Sequence, residues 1–113
     1  MLSMEREFII LPHFEAKWKD MGLTDADLQV LENTIMENPD IPPVIPGTGG
    51  IRKIRIKLQG RGKRGGGRVL YIDFVVQKQI YFLTAYAKNQ KKDLTHDEKK
   101  SLKSLVDLLK EQL

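Results

Sequence analysis

The spacing of hydrophobic and polar positions changes several times along the chain, and each change marks an element. Phe8, Ile9, Ile10 and Leu11 form a short apolar run that predicts a strand over residues 7–11. Pro12 then suits the first turn of a helix, in which Phe14 and Trp18 fall on one face and which Gly22 closes. Thr24, with Asp27 three residues on, reads as the N-cap and capping box of a second helix. Leu28, Leu31 and Ile35 repeat at helical spacing along it, and Pro39 stops it near Asn38. Residues 39–50 are rich in proline and glycine and predict a loop without regular structure.

The period then shortens to two. Ile54, Ile56 and Leu58 alternate with Lys53, Arg55 and Lys57, which predicts a half-buried strand with a cationic outer face. A glycine-rich loop over residues 60–67 leads into a second strand over 68–76. Residues 77–79 turn the chain into a third strand over 80–86. Thr95 and Glu98 form a second capping box, and Leu102, Leu105, Val106 and Leu109 line the buried side of the helix that follows. The order predicts an α+β fold: a small, largely antiparallel sheet with two N-terminal helices and one C-terminal helix. A length of 113 residues suits one domain over 1–113.

Composition narrows the chemistry. The chain has no cysteine, so thiol catalysis, thiolate metal sites and disulfides are excluded, and a reducing cytoplasm is the expected setting. The run from Phe8 to Leu11 is far too short to span a membrane, and the acids Glu5 and Glu7 before it are unlike a secretory leader. The net charge of +4 conceals a segregation. Residues 1–40 carry three basic and nine acidic groups, and residues 41–87 carry nine basic groups and one acid. Such a block predicts a face for a polyanion, since neutralised phosphates release counterions; a solvated basic strand is the plain alternative.

Within that block Gly60, Gly62 and Gly65 match the spacing of a dinucleotide-binding loop, but a strand follows where a phosphate-binding helix should begin. The loop reads better as an RNA contact, with Arg61, Lys63 and Arg64 as mobile cations. His13 and His96 read as separate surface histidines, because nothing in the sequence brings them together as an acid–base pair, and two histidines make no metal site. Tyr71, Tyr81 and Tyr86 are strand aromatics, of which one could stack on a base. The central candidate is Lys53, Arg55 and Lys57 converging with Arg68 across a hairpin. Such a cluster binds a phosphodiester and stabilises the added charge of its pentacoordinate transition state. Crowding by Arg55 and Lys57 favours release of the Lys53 proton, which makes Lys53 the candidate base for a ribose 2′-hydroxyl. Arginine cannot serve in that role.

Four stretches carry a resemblance: Pro46-Gly-Thr-Gly-Gly-Ile-Arg-Lys-Ile-Arg55, Gly62-Lys-Arg-Gly-Gly-Gly-Arg-Val-Leu-Tyr71, Tyr86-Ala-Lys-Asn89 and Asp93-Leu-Thr-x-x-Glu98. Together they resemble the RelE/HigB-like toxins of bacterial type II toxin–antitoxin systems, over nearly the whole chain. The resemblance implies a microbial-RNase-like domain that cleaves mRNA in the ribosomal A site. It implies no metal or organic cofactor, and a cognate antitoxin, often a helix-turn-helix protein. By position, Lys53 matches the general base, Arg55 the residue that stabilises the transition state, and Arg68 the phosphate-holding arginine. Asn89 stands where many members carry an arginine, and Thr95-His96 where many carry a base-stacking tyrosine. Lys88 becomes the candidate general acid, with His96 and Lys91 as alternatives. Lys57, Arg61, Lys63, Arg64, Lys91 and His96 are the remaining expected RNA contacts. Two other readings stay open: a ParE-like gyrase-binding toxin without ribonuclease activity, and a non-catalytic RNA- or ribosome-binding module.

Overall fold

In the computed structural model, which describes residues 5–58 and 66–113, the elements follow the expected order. They are β1 (Glu7–Ile10), α1 (Pro12–Asp20), α2 (Asp25–Glu37), β2 (Arg52–Ile56), β3 (Gly67–Phe74), β4 (Gln79–Ala87) and α3 (His96–Glu111). Arg61, Lys63 and Arg64 lie outside the described residues.

The helix ends form where the local chemistry requires. Pro12 opens α1 at a position whose N–H would be unpaired in any case. Phe14 stacks on Trp18 one turn later, at 5.4 Å between ring centroids. Gly22 takes φ 76°, a left-handed value that suits glycine at a helix end. Both expected capping boxes are present, Thr24 with Asp27 on α2 and Thr95 with Glu98 on α3.

The strands form one mixed sheet in the order β1-β4-β3-β2. Two of its three pairings are antiparallel; the edge strand β1 runs parallel to β4, with Glu7 opposite Gln79 and Ile10 opposite Phe82. Both faces are covered. Val69, Tyr71, Ile80, Phe82 and Ala85 pack with Phe14, Trp18, Leu31 and Ile35 of α1 and α2. Leu70, Ile72, Phe74 and Leu83 pack with Ile45, Ile51 and Val106 of α3. Tyr71 is therefore buried in the core, its hydroxyl donating to the Pro39 carbonyl at 2.7 Å, and cannot stack on a base.

Two expectations need correction. The strand expected to reach residue 76 stops at Phe74: Val75 and Val76 are 63% and 88% exposed in the turn, where Lys78 takes φ 57°. Strand propensity in two valines yields there to the geometry of chain reversal. The Pro/Gly-rich segment is also more ordered than a bare loop. Val44 bridges to Arg52, Ile45 N–H donates to the Ile51 carbonyl at 2.8 Å, and the buried Thr48 hydroxyl donates to the Ile45 carbonyl at 2.7 Å.

The acidic and basic parts of the chain meet at a partly buried ion pair. Arg6 binds both oxygens of Asp73, at 2.8 and 3.2 Å. Asp73 is the acid inside the basic block of residues 41–87, so its charge is answered from the strand's far side and does not oppose the cationic face. No helix among the described residues is long and apolar enough to cross a membrane.

Candidate active site

Strand register builds the site. Residues directly opposite across an antiparallel ladder share a face. Arg55 lies opposite Arg68, and Arg68 lies opposite Tyr86, so these three form a row across β2, β3 and β4. In the next row Lys53 lies opposite Leu70, and Leu70 opposite Thr84. Since Leu70 packs toward α3, both rows belong to the α3 side of the sheet. The expected convergence of Lys53, Arg55 and Arg68 is thus present. Lys57 lies past the end of β2 and is exposed.

Depth differs along the row. Arg55 is exposed and Lys53 is half-buried, whereas Arg68 is 5% exposed. Arg68 donates from Nη1 to the Gly67 carbonyl at 3.0 Å. A buried guanidinium is set in place before any ligand arrives, and its charge is screened less than one in water. The adjoining Gly66 is a requirement of the backbone: it takes φ 52°, and an added Cβ would lie 2.2 Å from the Ile56 carbonyl oxygen. Lys88 N–H donates to the Gly66 carbonyl at 2.9 Å, fixing the end of β4 beside the start of β3.

The row depends on a bulge. From Phe74 opposite Gln79 to Tyr71 opposite Phe82 the ladder is regular, but the next pair is Leu70 with Thr84. Leu83 is passed over. Without that extra residue Ala85 would stand opposite Arg68, and Tyr86 would face α1 and α2; a bulge re-aims every side chain beyond it. The sequence carries no clear mark of the bulge, so Tyr86 was not recognisable as a neighbour of Arg68.

Carboxylates lie among these cations. The Leu94 N–H, first, and then Lys53, Lys99 and Lys88 hold the exposed Asp93 carboxyl below its ordinary range. Lys53 and Lys88, from distant parts of the sequence, therefore act on one point. Lys91 is paired with Glu98, and its ammonium stands 5.9 Å from the centre of the Tyr86 ring. Glu98 also accepts the Thr95 N–H at 2.8 Å as part of the cap. Both Lys88 and Lys91 thus belong to the site's edge, while His96 is exposed in the first turn of α3. His13 shares a hydrogen bond of 3.1 Å with Thr84 Oγ1, at the end of the Lys53 row, and lines one groove with Tyr86 and Lys91. Among the described residues, no group of three or more His, Asp or Glu is placed to hold a metal ion.

The Glu98 pair has a pH signature. The Lys91 hydrogen bond, first, and the Thr95 backbone N–H hold its carboxyl below the ordinary value. A lowered folded value means stabilisation that is present above the ordinary carboxylate pKa of about 4.3 and lost as pH falls through the folded value. Glu98→Gln keeps the cap, which glutamine also serves, and removes the charge. The melting temperatures of wild type and variant are expected to differ near neutrality and converge in acid. A gap that stays constant with pH would remove the ion pair from the account.

Arg55 and Arg68 side by side on one face of a mixed sheet, with Lys53 in the next row, form an arrangement able to hold a phosphodiester. The comparisons give the chain's family. Residues 13–112 match the family described as the RelE toxin of the RelE / RelB toxin–antitoxin system, so the chain belongs to the RelE toxin family. Among solved structures, it resembles a double-arginine mutant of the E. coli toxin RelE in the free state. The TM-score is 0.55 at 13% identity, covering 78% of this chain and 88% of the other. At that identity the likeness speaks for the fold alone.

Proposed function

We propose that this RelE-family toxin is a metal-independent endoribonuclease that cleaves mRNA in the A site of the ribosome and so arrests translation. The observation that carries the reading is the cross-strand pair of Arg55 with Arg68, with Lys53 on the same face. Two guanidiniums in adjacent strands can hold the non-bridging oxygens of one phosphodiester. Arg68 acts from the floor of the site and Arg55 from its open side. Lys53 takes the proton of the ribose 2′-hydroxyl, whose oxygen attacks the adjacent phosphorus. The 5′-oxygen leaves and takes a proton from Lys88, so that a 2′,3′-cyclic phosphate and a 5′-hydroxyl remain. Lys57, Lys91 and His96, together with Arg61, Lys63 and Arg64, supply contacts to mRNA and ribosomal RNA, worth most at low salt. Family membership implies an antitoxin partner; a helix-turn-helix antitoxin and a cytoplasmic site of action complete the proposal.

The reading is tested against a gyrase-directed toxin by adding the purified protein to a coupled translation system and, separately, to DNA gyrase with relaxed plasmid. Arrest of translation with supercoiling intact is expected. Loss of supercoiling with translation intact would replace the proposal.

A further inference from the structure

Tyr86 stands out in the site because its polar atom has been left without a partner. Its hydroxyl oxygen is shielded from solvent and makes no hydrogen bond among the described residues. Elsewhere among the described residues the buried polar side chains are satisfied: the Tyr71 hydroxyl by Pro39, the Thr48 hydroxyl by Ile45, and the Trp18 indole N–H by the Thr24 carbonyl at 3.0 Å. An unpartnered buried hydroxyl costs stability and calls for a specific reason. Here the hydroxyl belongs to the residue directly opposite Arg68, and the Leu83 bulge is what turns it to that face. Bulges of this kind are common beside active sites, where they re-aim a side chain.

Tyr86 also forms part of the wall of a groove of about 990 Å³ between α1 and α3, which Lys91, Gln90, Leu102 and Leu105 line and which adjoins the Arg68 row at Tyr86. Lys91 lies over the ring and is held there by Glu98, an ion pair only partly buried. Lys91 is thus the side chain whose movement toward a phosphate at Arg55 and Arg68 would uncover the Tyr86 ring.

We infer that Tyr86 is a further catalytic residue of the proposed ribonuclease, donating its phenolic hydrogen bond to a non-bridging oxygen of the scissile phosphate beside Arg68. The proton stays on the phenol throughout; the hydrogen bond strengthens as negative charge builds on that oxygen. Burial, and then Asp93 and Glu98 against the opposing effect of Arg68, hold the phenol above its ordinary value, which keeps it a donor. The inference rests on the ribonuclease reading and assigns a tyrosine role to a residue on β4.

Tyr86→Phe removes one oxygen atom and keeps the ring under Lys91. In single-turnover cleavage on ribosomes programmed with one mRNA, the variant is expected to be about 100-fold slower than wild type, the typical effect of losing one transition-state donor. Its affinity for ribosomes carrying the same message with a 2′-deoxy residue at the cut is expected to be unchanged. Its melting temperature should be equal or higher, because an unsatisfied buried hydroxyl has been removed. Wild-type cleavage rates in Tyr86→Phe would overturn the inference and leave the hydroxyl a packing defect. Intact message with the wild-type protein would instead sink the ribonuclease reading, and this inference with it. A second probe needs no residue change of shape: fluorotyrosine at position 86, a more acidic phenol, should move the alkaline fall of the cleavage rate to lower pH, and an unmoved profile counts against the role.

Discussion

Arg68→Lys is expected to slow mRNA cleavage by about 100-fold or more while the protein stays folded, with Lys53, Arg55 and Tyr86 still on the sheet's α3 side. The substitution keeps a positive charge and much of the side-chain volume. It loses the planar fork that can hold two phosphate oxygens at once. Arg68 sits in the middle of the row between Arg55 and Tyr86 and is 5% exposed, so no neighbouring cation occupies the same depth. Alanine would be the harsher change, but it would also open a hole in a strand covered on both faces and confuse lost chemistry with lost packing. The readout is single-turnover cleavage together with a melt. A variant that cleaves within a few-fold of wild type would show that charge alone suffices and that the fork has no role.

Phe82→Ala is expected to destabilise the protein by about 3–5 kcal/mol, a large share of the roughly 5–15 kcal/mol by which a domain of this kind is stable. Phe82 is completely buried. Its ring stacks against Phe14 at 5.0 Å and Phe8 at 5.5 Å, and meets Tyr71 edge-on at 6.5 Å. It therefore joins α1, β1 and β3 through one side chain of β4, and no single neighbour can fill the space it would leave. It is also the last regular pair before Leu83 is passed over, opposite Tyr71, so its loss frees the bulge that aims Tyr86. Urea unfolding measures the effect. A loss below about 1 kcal/mol would mean that the aromatic cluster repacks and is not the anchor described here.

Much of the fold was legible because the local signals were strong and agreed with one another. Thr24 with Asp27 and Thr95 with Glu98 place two helix starts through donor geometry alone, and both caps form. The alternation of Lys53, Arg55 and Lys57 with Ile54, Ile56 and Leu58 gave the cationic strand face, since period two leaves few other arrangements. What escaped depends on partners distant in sequence. The parallel pairing of β1 with β4 has no local mark in Glu7–Ile10. Tyr71 was one of three strand tyrosines able on sequence grounds to stack on a base, yet α1 and α2 close over its side of the strand. Within the candidate site, Lys53, Arg55 and Arg68 could be grouped from alternation and resemblance. Tyr86 could not, because its facing is decided by one extra residue at Leu83. Asp93 was read as part of a motif, while its position within the field of Lys53 and Lys88 comes from tertiary structure.

On the proposed function, this face cuts mRNA when the ribosome presents it. Primer extension on a defined mRNA, incubated with the protein in the presence and absence of translating ribosomes, tests it most directly. Cuts are expected only in the lane with ribosomes, within the codon in the A site, leaving 2′,3′-cyclic phosphate ends and disappearing with Arg68→Lys. Uncut message in both lanes, from a protein that nonetheless arrests growth, would contradict it.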